Sequence, residues 1–114
     1  MSTIYKVCSA QAWRQAQRAG ILRGNPDDQR DSYIHLSTAG QLAGMLAKHF
    51  AGQRDLVLLA INEGRVRNDL RWEKARDGAL FPHLYGELAV SAVTCVHPIR
   101  LKPDGRHVIP ELAL

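Results

Sequence analysis

Cysteine is scarce in this chain: Cys8 and Cys95 are the only two in 114 residues, and they do not sit at a metal-ligand spacing. The five histidines include no His-x-x-x-His pair, so a zinc site has no sequence basis. Both cysteines fall in stretches that read as strands, and reduced, buried thiols are expected. Long apolar runs are missing too. None approaches the roughly 20 residues of a membrane span, so no membrane association is expected. The opening residues, Met1 to Lys6, lack the features of a signal peptide and read as a strand, which makes cytoplasmic the expected location.

Several motifs are absent as well. There is no Gly-x-Gly-x-x-Gly, no P-loop and no Gly-x-Ser-x-Gly elbow. A carboxylate-pair hydrolase has little support, because neither Glu73 nor Glu87 has an evident partner acid. Repeats, linkers and low-complexity segments are also missing. Lysine is sparse, so the net charge of +4 rests mostly on arginine. A guanidinium fork fits phosphate oxygens. The plainer account is composition bias, since alanine is abundant and the charges are dispersed among Asp and Glu without a basic tail. That patterning gives no support to a nucleic-acid partner, though it leaves RNA open.

What is present is an ordinary globular composition, 46% hydrophobic and 23% charged. One domain over residues 1–114 is expected, able to bury roughly 65% of its unfolded surface. Thr3 to Cys8 reads as the first strand. Ser9 caps a helix to about Arg18, with Trp13 and Ala16 inward and Gly20 as its stop. Gly24 to Ser32, dense in Gly, Pro, Asp and Asn, reads as a long loop. Ser32 to Ser37 is a short buried strand delivering His35, Ser37 and Thr38 to the mouth of a helix. Thr38 and Gln41 form a capping-box pattern, and Leu42, Met45, Leu46, His49 and Phe50 share one helical face.

Leu56 to Ile61 is an unbroken apolar run and reads as a strand buried on both faces. Leu70 to Glu73 alternates, Leu70 and Trp72 on one side and Arg71 and Glu73 on the other. Pro82 argues against a central ladder position for its own strand. If that stretch is extended, His83 and Tyr85 share a face. Ala92 to Leu101 is a further strand, and Arg106 to Ile109 a short edge strand after the Pro103-Asp104-Gly105 turn. The order suggests an α+β fold: a small, twisted, largely antiparallel split sheet of five to six strands with two main helices.

Three polar clusters stand out at alternate spacing: His35 with Ser37 and Thr38, Arg71 with Glu73, and His83 with Tyr85. Each has a plainer reading. Ser37 and Thr38 can be only caps. Arg71 and Glu73 can be a surface ion pair, worth about 0–1 kcal/mol. His83 and Tyr85 can bond to backbone around a proline turn. Their coincidence in one small sheet points to a binding cleft.

The run Ile4-Tyr5-Lys6, Trp13, Tyr33-Ile34-His35-Leu36-Ser37-Thr38-Ala39 with Gln41, Asp55 to Leu59, Arg71-Trp72-Glu73 and Phe81-Pro82-His83-Leu84-Tyr85-Gly86 resembles bacterial domain-of-unknown-function family 952, in order and over nearly the whole chain. That resemblance implies a distant likeness to the ADP-ribosyltransferase-like fold, in pattern nearest the RNA 2′-phosphotransferases. His35-Leu36-Ser37 is similar to their second motif and Leu56 to Ile61 to their third element. Lys6 stands where the first-strand histidine that helps hold an NAD-type ligand would be, and no Gly-Thr follows it.

The resemblance implies a cleft for NAD, ADP-ribose or a related nucleotide. His35, Glu73 and His83 are its candidate catalytic residues, and Lys6, Ser37, Thr38, Arg71, Trp72 and Tyr85 its candidate ligand contacts. Arg71 would hold phosphate in a bidentate contact, and the helix end at Thr38 a second anionic group. Tyr85 would stack on a base or nicotinamide, and His35 or His83 would orient a ribose hydroxyl. Glu73 would be the base or oxocarbenium stabiliser of a transferase or glycohydrolase. The alternative is a non-enzymatic module on the same fold, binding a small molecule or a protein.

Overall fold

The computed structural model describes residues 2–112. The chain is built around the apolar run. It forms β4 (Leu56–Asn62), paired antiparallel with β1 (Thr3–Ser9) on one side and β8 (Val93–Leu101) on the other. A strand between two neighbours has both faces available for packing. Val57, Leu59 and Ile61 pack with Ile4, Cys8 and Trp13 on one face. Leu56, Leu58 and Ala60 pack with Tyr5, Val7, Leu42 and Leu46 on the other. Helix α1 (Ala10–Ala19) covers the first face through Trp13 and Ala16, and α3 (Leu42–His49) covers the second through Leu42 and Leu46. Burying side chains of this size stabilises by roughly 1.5–3 kcal/mol each, which is why the run is a strand buried on both faces.

The other elements curl the sheet. Strand β2 (Ile21–Leu22) pairs with β7 (Leu88–Ala89), and β9 (His107–Val108) pairs with β8. Strands β3 (Ile34–His35), β6 (Leu80–Leu84) and β5 (Leu70–Lys74) form a three-stranded sheet in that order. Ser37 joins the two larger sheets. Its N–H donates to the Tyr5 carbonyl at 2.9 Å, and its carbonyl accepts from the Tyr5 N–H at 2.8 Å. Every strand pairing among the described residues is antiparallel. The result is an α+β fold with a curled antiparallel sheet.

Several expectations change. Nine strands rather than five or six occur among the described residues, four of them only two residues long. Two short helices, α2 (Pro26–Asp31) and α4 (Glu63–Val66), add to the two expected. Helix α2 replaces the loop expected over Gly24 to Ser32. Asn25 caps it, accepting from Asp28 N–H at 3.0 Å while Asp28 Oδ2 accepts from Asn25 N–H at 2.9 Å, and Pro26 holds the first position. That is a reciprocal capping box with a pre-set φ, so residues typical of turns start a helix here.

The Thr38–Gln41 box opens a 3-10 turn, Ala39–Gln41, and α3 begins only at Leu42. Pro82 lies in the middle strand of its sheet after all. Its carbonyl accepts from Leu36 N–H at 3.0 Å. Its nitrogen faces the same edge, opposite Leu36, so the ladder with β5 loses no bond, while the bond missing toward Leu36 falls where β3 ends at His35. Cys95, expected buried, is exposed on β8, while Cys8 is buried. No helix among the described residues is long and apolar enough to cross a membrane.

Candidate functional site

A cleft of about 850 Å³ opens between the three-stranded sheet, α2 and α3, within the size range of small-molecule sites. Tyr5, Lys6, Arg30, Asp31, Tyr33, His35, Ser37, Phe81 and His83 line one part. Gln41, Gly44, Lys48 and His49 on the α3 side and Lys74, Ala75 and Arg76 on the β5–β6 hairpin line the rest. A second cavity, about 430 Å³ and lined by Arg65, Asp69, Glu87 and Ser91 among others, holds no imidazole.

The cleft wall rests on Asp28, which helix α2 carries inward. Its side chain is 1% exposed and is saturated with donors. Lys6 Nζ donates to Oδ2 at 2.6 Å. The His35 backbone N–H donates to Oδ1 at 2.9 Å, and His35 Nδ1 lies 2.6 Å from the same oxygen. Burial alone would raise the Asp28 pKa. The His35 ring contact, the charge and hydrogen bond of Lys6 and the His35 N–H outweigh it and hold the carboxyl down at about 2. Lys6 Nζ also donates to the His35 carbonyl at 3.2 Å. Lys6 therefore lines the cleft with its ammonium already engaged.

His35 has a carboxylate on each ring nitrogen: Asp28 on Nδ1 at 2.6 Å and Asp31 on Nε2 at 3.0 Å. Across the strand pairing, His35 stands opposite His83, and His83 opposite Arg71. His83 Nδ1 lies 2.9 Å from Glu73 Oε1, and Tyr85 OH donates to that same oxygen at 2.6 Å. The bond from Tyr85, then that from His83, lowers the Glu73 pKa, and the same bond to Glu73 raises that of Tyr85. Tyr33 stacks on His83 with ring centroids 4.1 Å apart, and lies 4.7 Å from His35 and 5.2 Å from Tyr85. The Arg71 guanidinium carbon sits 5.0 Å over the Tyr85 ring, a cation–π distance.

The structure thus places His35, Ser37, His83 and Lys6 on the cleft. Ser37 is buried, and its backbone serves the bridge to Tyr5. Glu73, Tyr85 and Arg71 lie beside the cleft and reach it through His83 and Tyr33. Arg71 and Glu73 are not an ion pair; Glu73 is committed to His83 and Tyr85. Thr38 lies outside the cleft lining, its N–H donating to Gln41 Oε1 at 3.0 Å. Trp72 faces away from the Arg71–Glu73 side and is 40% exposed. Asp28, Asp31 and Tyr33 also belong to the site, beyond the three clusters that alternation in the sequence marks. The signal for the first two was Asn25-Pro26-Asp27-Asp28, a cap, a helix-starting proline and an acid at the third helical position.

These features define a class: an α+β protein with a curled antiparallel sheet and a cleft walled by carboxylate-bound imidazoles. The chain belongs to the DUF952 family, described as proteins of unknown function, whose profile matches residues 7–96. Its fold is similar to that of protein CC0527 from Caulobacter crescentus. The X-ray crystal structure of CC0527 is 42% identical, with 94% of each chain covered and a TM-score of 0.90. The solution NMR structure of CC0527 gives 43% identity, coverage of 93% of this chain and 91% of that one, and a TM-score of 0.82. No curated protein matches the chain.

Proposed function

We propose that the cleft binds a nucleotide of the NAD, ADP-ribose or AMP type, an aromatic ring joined to ribose and phosphate. The observation that carries this is the Tyr33–His83 stack, 4.1 Å between centroids, beside a cleft that Lys48, Lys74 and Arg76 also line. Those three cations have no acidic partner within ion-pair distance among the described residues, whereas Arg30 is taken by Asp27 and Asp31. A flat π-surface and free cations together suit a ligand with both a ring and a negative charge.

The reading includes kinship with the ADP-ribosyltransferase-like fold, supported by His35-Leu36-Ser37 leading into a capped turn and helix. Glu73 supplies a lowered-pKa carboxylate beside the cleft should ribosyl chemistry follow binding. The commitment of Lys6 to Asp28 favours binding over the NAD-holding role that its position implies. The test is an NMR titration of labelled protein with NAD, ADP-ribose, AMP and a 2′-phosphorylated RNA. Shifts gathered at Tyr33–Gln41, Lys74–Arg76 and His83 are expected. No shift at millimolar concentration from any of the four sinks the reading.

A further inference from the structure

The two facing histidines of the cleft are held in different ways. Their ring centroids are 5.5 Å apart and nearly perpendicular, at 71°. Both nitrogens of His35 are occupied by carboxylates, Asp28 and Asp31. His83 has one nitrogen occupied, Nδ1 by Glu73, and no described residue partners its Nε2. A carboxylate accepts only, so Glu73 fixes the His83 proton on Nδ1. That leaves Nε2 as a lone-pair acceptor on a ring that lines the cleft. Two neighbouring polar groups are committed: the Lys6 ammonium to Asp28 and the His35 carbonyl, and, beside the cleft, the Tyr85 hydroxyl to Glu73.

We infer that His83 Nε2 is the specificity-determining acceptor of the cleft, selecting a ligand that brings a hydroxyl to the Tyr33 ring, while His35, with a carboxylate against each ring nitrogen, leaves neither to a ligand. Glu73 is then a positioning residue that acts through the His83 tautomer. This rests on the nucleotide reading above, in which the hydroxyl is one of the ribose hydroxyls. The stack on Tyr33 holds the His83 ring plane, and the Glu73 contact sets which nitrogen bears the proton, so the acceptor direction is set before ligand arrives.

Two measurements test it. Long-range proton–nitrogen spectra of the histidine-labelled protein at neutral pH read each ring nitrogen directly. His83 is expected to carry its proton on Nδ1 with a bare Nε2. In Glu73→Gln, where the side chain can also donate, the His83 signature is expected to change while the backbone spectrum stays native. A His83 proton on Nε2 overturns the inference. The second measurement compares AMP with 2′,3′-dideoxy-AMP. The dideoxy compound is expected to bind about tenfold more weakly, a gap that closes in Glu73→Gln and in His83→Phe, should the latter fold. Equal binding of the two by the unaltered protein overturns the hydroxyl role. If neither binds, the nucleotide reading fails and the hydroxyl contact with it, and the nitrogen spectra alone then decide whether Glu73 sets the His83 tautomer.

Discussion

Lys6 Nζ lies 2.6 Å from Asp28 Oδ2, and the two side chains are 3% and 1% exposed. This pair ties β1 to α2 across 22 positions of sequence. Because Asp28 also holds the backbone and ring of His35, the imidazole side of the cleft hangs from a buried charge pair. Lys6, a candidate ligand contact in the sequence, is thus a structural cation.

Lys6→Met should therefore destabilise strongly, by about 3–5 kcal/mol, because Asp28 keeps its charge without its cation. Asp28→Asn in the same background should cost less than the sum of the two single changes, since it removes the orphaned charge. Urea unfolding of the four proteins of the cycle reads this. A loss under about 1 kcal/mol for Lys6→Met would put the pair on a par with an exposed one.

The same carboxylate makes an acid limb. Its folded pKa is depressed to about 2 from an ordinary 3.8. A depressed acid contributes its stability above the unfolded value and loses it as pH falls through the folded value. Stability should thus fall between about pH 4 and pH 2, with Asp28 accounting for about 2 kcal/mol of the loss. Thermal melts from pH 5 to pH 2 should show a shallower fall for Asp28→Asn than for the unaltered chain. Parallel curves would remove Asp28 as the cause.

Much of the fold is legible in the residues because it follows periodicity and burial. Leu56 to Ile61 has nowhere to go but a two-sided interior, and Ser9 with Gly20 brackets α1. Cys95 was misplaced because a β-prone stretch does not say which face meets water. Helix α2 was hidden because Asn, Pro and Asp signal turns and helix starts alike, and only the reciprocal bonds of Asn25 and Asp28 separate the two. Of the site, the alternation of His83 and Tyr85 and of Arg71 and Glu73 was legible, since β-spacing puts alternate residues on one face. That Glu73 belongs to Tyr85 and His83 instead of Arg71 was not, because cross-strand register decides it.

Register and backbone also separate two glycines. Gly24 has φ +90°, and a Cβ there would lie 2.6 Å from Asp28 Cβ and Oδ2. Gly24→Ala should cost on the order of 2 kcal/mol from left-handed strain alone and more from displacing Asp28. Gly44, inside α3, has nothing within 4 Å of such a Cβ. Gly44→Ala should stabilise by about 0.5–1 kcal/mol, the usual helical gain. Melting temperatures that move in the same direction for both variants would contradict this assignment.

The two thiols should behave as separate groups. Cys8 stands opposite Val57 on one side of β4, and Cys95 opposite Ala60 on the other. Paired residues share a face and alternate residues switch faces, so the two thiols point to opposite faces, two strand spacings apart. No disulfide can join them without moving backbone. Burial pushes the Cys8 thiol up to about 11, so little of the reactive thiolate exists at pH 8. A thiol reagent at pH 8 should therefore label one cysteine promptly, Cys95, and reach Cys8 only at the rate of unfolding. Mass spectrometry of the labelled peptides against time checks this. Prompt double labelling would mean that the Cys8 face of the core opens without global unfolding.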